Sequence, residues 1–318
     1  MPRSLKKKVD NKFIKKSNVI VRAVTNECAG IMTQRLFNFA ILSIKKDYKE
    51  FNGKIKFWLK DFCDYFEINS HTIYDTVIHR KKEITVIMKE LDNLTSLKFL
   101  LFDEKTGNFK FVNLFLEGGL NNGYVELKVN KDLTTKYYLD LKKDYTNVYL
   151  PYTKTVTSKY SLRLYEYLRS YLYINAKTKK MPNFKHEWDF EQLSKILNLS
   201  LNCNYFKRIN NLKSKILESV KKDLAKTDII FTYELIKVGR KYNKIILNTH
   251  LDLEKFNAQN PELEKVPTKK EYKLYADKSK LTANDFTESG SKPKSKIIEK
   301  TILTDKQLQN ILKNIDND

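Results

Sequence analysis

The chain has 318 residues, 41% of them hydrophobic and 31% charged, a balance that suits a globular protein with length for two domains. Sixty Lys+Arg against 38 Asp+Glu leave a net charge of +22, a field that attracts polyanions and nucleic acid above all. No run of about 18 apolar residues is present to cross a membrane, and the basic start, Met1 to Lys8, lacks the apolar stretch of a secretory signal, so a cytoplasmic protein without membrane attachment is expected.

Residues 1–13 read as a disordered basic arm. A helical pattern builds from Lys16 and is clearest from Met32 to Lys46. Lys54 to Trp58 alternates like a strand, with Ile55 and Phe57 on one face. A short helix follows from Leu59 to Phe66, apolar at Leu59, Phe62, Tyr65 and Phe66. Asn69-Ser70 is a turn and helix N-cap signal. The spacing of Ile73, Val77, Ile84, Ile87, Met88 and Leu91 predicts one long helix over 70–93. A hairpin is predicted from Ser96–Phe102 and Phe109–Leu116, turning at Gly107, with a third strand at Tyr124–Val129 and a helical patch near Tyr137. Helix, strand, helix, long helix and hairpin is the order of a winged helix.

The order repeats. Ser158–Tyr173 is an amphipathic helix, Glu187–Asp189 a strand, Phe190–Leu197 a short helix and Tyr205–Lys226 a long one. Strands at Asp228–Val238 and Asn243–His250 flank the basic turn Gly239–Tyr242. Leu59, Phe62, Phe66 and Ile68 match Phe190, Leu193, Leu197 and Leu199 at an offset of 131 residues, and Gly107 matches Gly239 at 132. The predicted fold class is therefore α+β: two tandem winged-helix domains, 14–140 and 141–253, with a charged, largely disordered tail over 254–318. Within that tail 304–315 has the pattern of a short helix.

The second long helix carries the chemistry. Tyr205, Ile209, Leu212, Ile216, Val220 and Leu224 form its apolar stripe. Asn204, Lys207, Arg208, Asn211 and Lys215 fall on the other side at helical spacing, with Lys222 further along. From Asn204 to Lys226 there are seven Lys+Arg and two acids. Arg pairs bidentately with guanine and Asn with adenine in the major groove, while Lys meets phosphate. The turn with Arg240, Lys241 and Lys244 is a basic wing, and Lys159 opens the preceding helix as a further phosphate candidate. Over 70–93 the basic and acidic residues balance at four each. Ser70, His71, Tyr74, His79 and Lys82 are the DNA-facing candidates there.

Catalytic motifs are missing. The sequence has no P-loop, no H-E-x-x-H and no G-x-S-x-G, and no paired histidines beside a tyrosine of the kind nicking enzymes use. Cys28, Cys63 and Cys203 are scattered, as are His71, His79, His186 and His250. Neither a disulfide framework nor a metal site is expected. The reading is a non-enzymatic protein without cofactor or metal. A metal-dependent nicking enzyme is the alternative from a different class.

Four stretches resemble a known family. They are Lys16 to Ala23, Met32-Thr-Gln-Arg-Leu-Phe37, Ser158-Lys-Tyr-Ser-Leu-Arg-Leu-Tyr-Glu166, and Thr227-Asp228 followed by Gly239-Arg240-Lys241. Together they are similar to the iteron-binding plasmid replication initiators, a family with two winged-helix domains. The resemblance covers about Ser17 to Leu251. It implies a protein that binds directly repeated sites in double-stranded origin DNA, promotes opening of the adjacent duplex, and recruits the host initiator, helicase and primase. It further implies a homodimer in equilibrium with monomer, joined largely through the first domain, with the dimer repressing its own promoter. The second domain would make the principal DNA contacts and the first domain auxiliary ones. A tandem winged-helix transcriptional regulator without an origin-opening role is the alternative.

Overall fold

The structure is a computed structural model that describes residues 13–26, 29–44, 51–102, 106–176, 182–239 and 241–259. Of the expected arm over 1–13, only Phe13 is described, and it begins a strand. The rest of the arm, Arg240, and the tail from 260 with its helix at 304–315 lie outside the described residues. The described residues from 13 to 101 and from 109 to 259 belong to one compact unit.

The chain opens with β1 (Phe13–Ser17), α1 (Asn18–Arg22), β2 (Val24–Thr25) and α2 (Ile31–Leu42). Helix α2 forms where the helical pattern is clearest and buries Thr33 and every residue from Leu36 to Ile41, so it is enclosed on all sides over that stretch. Next come β3 (Lys54–Trp58) and α3 (Leu59–Phe66). Ile55 and Phe57 turn inward while Lys54, Lys56 and Trp58 face out, as the period-2 alternation requires. Helix α3 buries Leu59, Phe62, Cys63 and Phe66 and stops at Glu67, which takes the left-handed conformation at φ 57°.

The long helix expected over 70–93 does not form. Asn69 makes a turn in which its Oδ1 accepts the His71 N–H at 3.0 Å. Strands β4 (Thr76–His79) and β5 (Lys82–Thr85) then pair antiparallel, and α4 (Val86–Ser96) starts only at Val86. Two physical facts decide against the helix. Thr76, Val77, Ile78, Ile84 and Thr85 are β-branched and favour extended backbone. Arg80 and Lys81 adopt φ 48° and 67°, the two-residue turn whose twist matches a hairpin. Thr85 is the true N-cap, its Oγ1 accepting from the Met88 N–H. Ile73, Ile87 and Leu91 are buried as the helical stripe required, but Met88 is 54% exposed.

The wing of the first module is also displaced from its predicted place. Strands β6 (Lys98–Phe102) and β7 (Phe109–Asn113) join β2 in a sheet of order β2-β6-β7. The wing is instead β8 (Phe115–Asn121) with β9 (Tyr124–Val129), in a sheet of order β3-β9-β8. Its turn is Asn122-Gly123, both at positive φ, a strong sequence signal for a tight hairpin. The counterpart of Gly239 is thus Gly123 and not Gly107. After β9 come α5 (Lys131–Thr134), a π-helical turn at Thr135–Leu139, β10 (Tyr145–Tyr149) and α6 (Leu150–Thr155). Strand β10 pairs with β1.

The second module repeats the plan with α7 (Lys159–Ile174), β11 (Asn183–Asp189) and α8 (Phe190–Leu197). Ser158 caps α7, and Asp189 with Gln192 forms a complete capping box on α8. Three short helices follow: α9 (Asn204–Lys207), α10 (Ile209–Asn211) and α11 (Glu218–Leu224), with a π-helical stretch at Leu212–Leu217 between the last two. Strands β12 (Ile229–Val238) and β13 (Lys241–Leu251) pair into the sheet β11-β13-β12, and α12 (Leu253–Gln259) closes the described chain. In both modules the strand before the short helix pairs with the last wing strand, so the two sheets share one topology. The 131-residue offset between α3 and α8 reflects that shared plan.

One apolar core runs through both modules. Polar side chains stitch them. Lys16 Nζ and Glu166 Oε2 lie 2.7 Å apart and are buried, and Asn38 Nδ2 donates to Glu166 Oε1 at 3.1 Å. Burial lowers the pKa of the Lys16 ammonium, while Glu166 acts in the opposite sense. Arg163 donates to the carbonyls of Val21 (2.8 Å), Ala23 (2.7 Å) and Ile196 (3.2 Å). Arg35 on α2 donates to the carbonyls of Thr153, Lys154 and Val156.

Candidate nucleic-acid interface

The second module presents the basic surface. Its predicted long helix is broken at Arg208, whose φ of −125° and ψ of 96° are extended rather than helical. Asn204, Lys207, Arg208, Lys215 and Lys222 are all exposed, as expected. Asn211 is only half-exposed, and its Nδ2 donates to the Asn204 carbonyl at 3.4 Å, which braces α9 against α10. Periodicity misses Asn210 and Lys213, both exposed, because it assumes an unbroken α-helix.

The two acids of this segment are committed elsewhere. Asp223 is buried and accepts the backbone N–H groups of Thr157 (3.0 Å) and Ser158 (3.2 Å) at the start of α7. Burial would raise its pKa, but these hydrogen bonds outweigh burial and hold it below the usual carboxylate range. Glu218 accepts from the Tyr233 hydroxyl. The outward face is left with Lys207, Arg208, Lys213, Lys215, Lys221 and Lys222, all exposed.

The wing adds Lys241 and Lys244, both exposed on β13. Lys244 Nζ lies 3.4 Å from Glu187 Oε1, a solvent-screened contact that leaves it open to a stronger anion. Lys159 is half-exposed, with Nζ 5.2 Å from the Tyr160 ring centre and its carbonyl held by Gln34. The string Ser158–Glu166 supplies side chains to the core and to the joint between modules. Its Arg163 and Glu166 are the interface side chains just described.

The first-module candidates divide differently. Ser70, His71 and Tyr74 lie exposed in the turn before β4, and Lys82 is exposed on β5. The hairpin lies along α4: His79 Nε2 is 2.7 Å from Asp92 Oδ2, and Arg80 NH1 is 3.2 Å from it. Helix α4 is thereby covered by its own hairpin on one side and packs against β8 on another. It does not present a bare face to a groove, so the first module's exposed candidates are carried by turn and hairpin. Among the described residues no three His, Cys, Asp or Glu side chains are placed to hold a metal ion.

Two helix-turn-helix units, each closed by a β-hairpin and joined through a shared core, define a tandem winged-helix protein. Residues 13–169 match the family description "Initiator Replication protein, WH1", and residues 189–248 match "Initiator Rep protein, WH2". The chain belongs to the initiator replication protein family. No curated protein matches it. Among the described residues no helix is long and apolar enough to cross a membrane.

Proposed function

We propose that this protein initiates plasmid replication by binding directly repeated sites in duplex origin DNA, chiefly through its second module. The observation that carries this reading is the recognition segment Asn204–Lys226, in a chain of the initiator family. Its cations are exposed while Asp223 is buried and Glu218 is bonded to Tyr233. A predominantly basic helical segment fits the major groove, and the basic wing β12–β13 suits contact with backbone phosphates. Binding would help open adjacent AT-rich duplex and bring in the host initiator, helicase and primase. The protein supplies no bond-breaking chemistry in this scheme and acts in the cytoplasm. A dimer formed largely through the first module would repress the protein's own promoter.

The test is footprinting of the full chain on its own upstream DNA at about 0.15 M salt with excess competitor. Regularly spaced protection over direct repeats supports the initiator. Protection of one inverted repeat alone overturns it in favour of a transcriptional regulator. Binding abolished by competitor overturns any sequence-specific role. Nicking of supercoiled DNA in the presence of a divalent metal would overturn the non-enzymatic reading.

A further inference from the structure

The recognition segment is not a regular helix, and this changes which residues it offers. A π-helical turn replaces i→i+4 bonding over Leu212–Leu217. The predicted stripe Leu212, Ile216, Val220 and Leu224 stays buried through this turn, and Leu217 and Asp223 are buried beside it, so the inward face is broader than regular spacing gives.

The ridge opposite this buried face runs through Asn210, Ser214, Glu218 and Lys222, all exposed. Asn211, which regular spacing puts at its centre, lies instead on the flank with Lys215. The two asparagines are chemically identical but differently employed. The Asn211 amide is tied to the Asn204 carbonyl. The Asn210 side-chain amide is exposed and uncommitted among the described residues, while its backbone carbonyl accepts the Ser214 hydroxyl at 2.7 Å. Further along the ridge Glu218 carries a negative charge that a phosphate backbone would repel. Only the first turns, around Asn210, are therefore suited to enter a groove. That is the part of a recognition helix that meets base edges.

We infer that Asn210, exposed in the short helix that restarts after the extended Arg208, is the base-reading asparagine of this segment and takes an adenine in the major groove, while Asn211 is a structural brace. The inference rests on the proposed binding of duplex DNA by the second module. An Asn amide matches the N6 donor and N7 acceptor of adenine in a bidentate pair. Lys213, exposed on the flank of the same turn, meets phosphate beside it.

The experiment is selection of bound duplexes from a random-sequence pool, using the full chain and its N210A, N210R and N211A variants. Thermal melting of each variant is recorded alongside. The unsubstituted protein should enrich a motif. N210A should lose about 5- to 150-fold of discrimination at one A·T pair and keep the rest of the motif. N210R should replace that adenine with guanine. N211A should melt at lower temperature yet enrich the unchanged motif. Retention of the complete motif by N210A and N210R overturns the inference even if duplex binding holds, and so does loss of one motif position in a folded N211A. If the unsubstituted protein enriches no motif, sequence-specific duplex binding fails and the assignment of Asn210 fails with it.

Discussion

At the scale of single residues the clearest liability is His186 on β11. Its ring packs against Tyr171, Phe184 and Trp188, and Nε2 has no hydrogen-bond partner among the described residues. Burial, with a smaller push from Arg22, lowers its pKa to about 3. The unfolded chain takes up this proton near pH 6.5, and the folded protein resists it until about pH 3. Stability from this group is therefore full above pH 6.5 and falls as pH drops through the window from 6.5 to 3, by up to about 1.4 kcal/mol per pH unit. Denaturant unfolding between pH 7 and 4 should show that slope, and His186→Phe should flatten it; an equal slope in both proteins would place the acid sensitivity elsewhere. The buried Lys16–Glu166 pair makes the complementary case. Glu166→Gln strands the buried Lys16 charge and should cost about 3–5 kcal/mol, while the double variant K16M/E166L should recover most of it. Equal midpoints for the single and double variants would show that the charge itself is not the issue.

At the scale of elements, capping and turn chemistry set the boundaries. Asp189→Ala removes the capping box of α8 and should lower stability by about 0.5–2 kcal/mol, read from the denaturant midpoint. A change within error would mean that tertiary packing alone fixes the start of α8. Gly123 sits at φ 78°, and an added Cβ would lie 3.1 Å from the Trp58 ring, so Gly123→Ala strains the wing turn twice. The expected sign is a loss of stability, checked by the same midpoint. Much of this level is legible in the sequence. The α2, α3, α7 and α8 helices follow from their apolar spacing, and the alternation at Lys54–Trp58 sets the inward pair Ile55 and Phe57. The errors also have physical causes. Ile73, Val77, Ile84, Ile87 and Leu91 fit a helical stripe, yet Val77 and Ile84 pair across a hairpin, and apolar spacing is blind to that choice. Asn122-Gly123 is a stronger hairpin signal than Gly107, because both of its residues tolerate the positive φ that a two-residue turn needs.

At the scale of the whole molecule, charge and the joint between modules matter most. With a net charge of +22, affinity for DNA should fall steeply with salt. Lys213→Ala should reduce the slope of log K against log salt by about one unit if Lys213 meets phosphate, and an unchanged slope would remove it from the interface. The joint gives a separate prediction. Arg163 reaches carbonyls at the ends of α1 and α8, so it ties elements 140 and 33 residues away in sequence. Arg163→Ala should lower the melting temperature and broaden or split a single transition as the modules lose their shared restraint, measured by calorimetry. An unaltered single transition would show that the continuous apolar core suffices.

Composition, periodicity and the order of elements by themselves determined a basic α+β chain with a repeated helix-turn-helix and wing. They did so because burial of apolar faces imposes period 2 on strands and 3.6 on helices whatever the wider context. The family likeness was carried by the same residues, among them Arg163 and Glu166. Only the tertiary structure decided what those residues do. It put Arg163 and Glu166 at the joint, folded a hairpin over α4, removed Asp223 from the basic face, and turned Asn210 outward in place of Asn211. These outcomes depend on contacts between distant segments and on the helix break at Arg208, and neither leaves a periodic trace in the sequence.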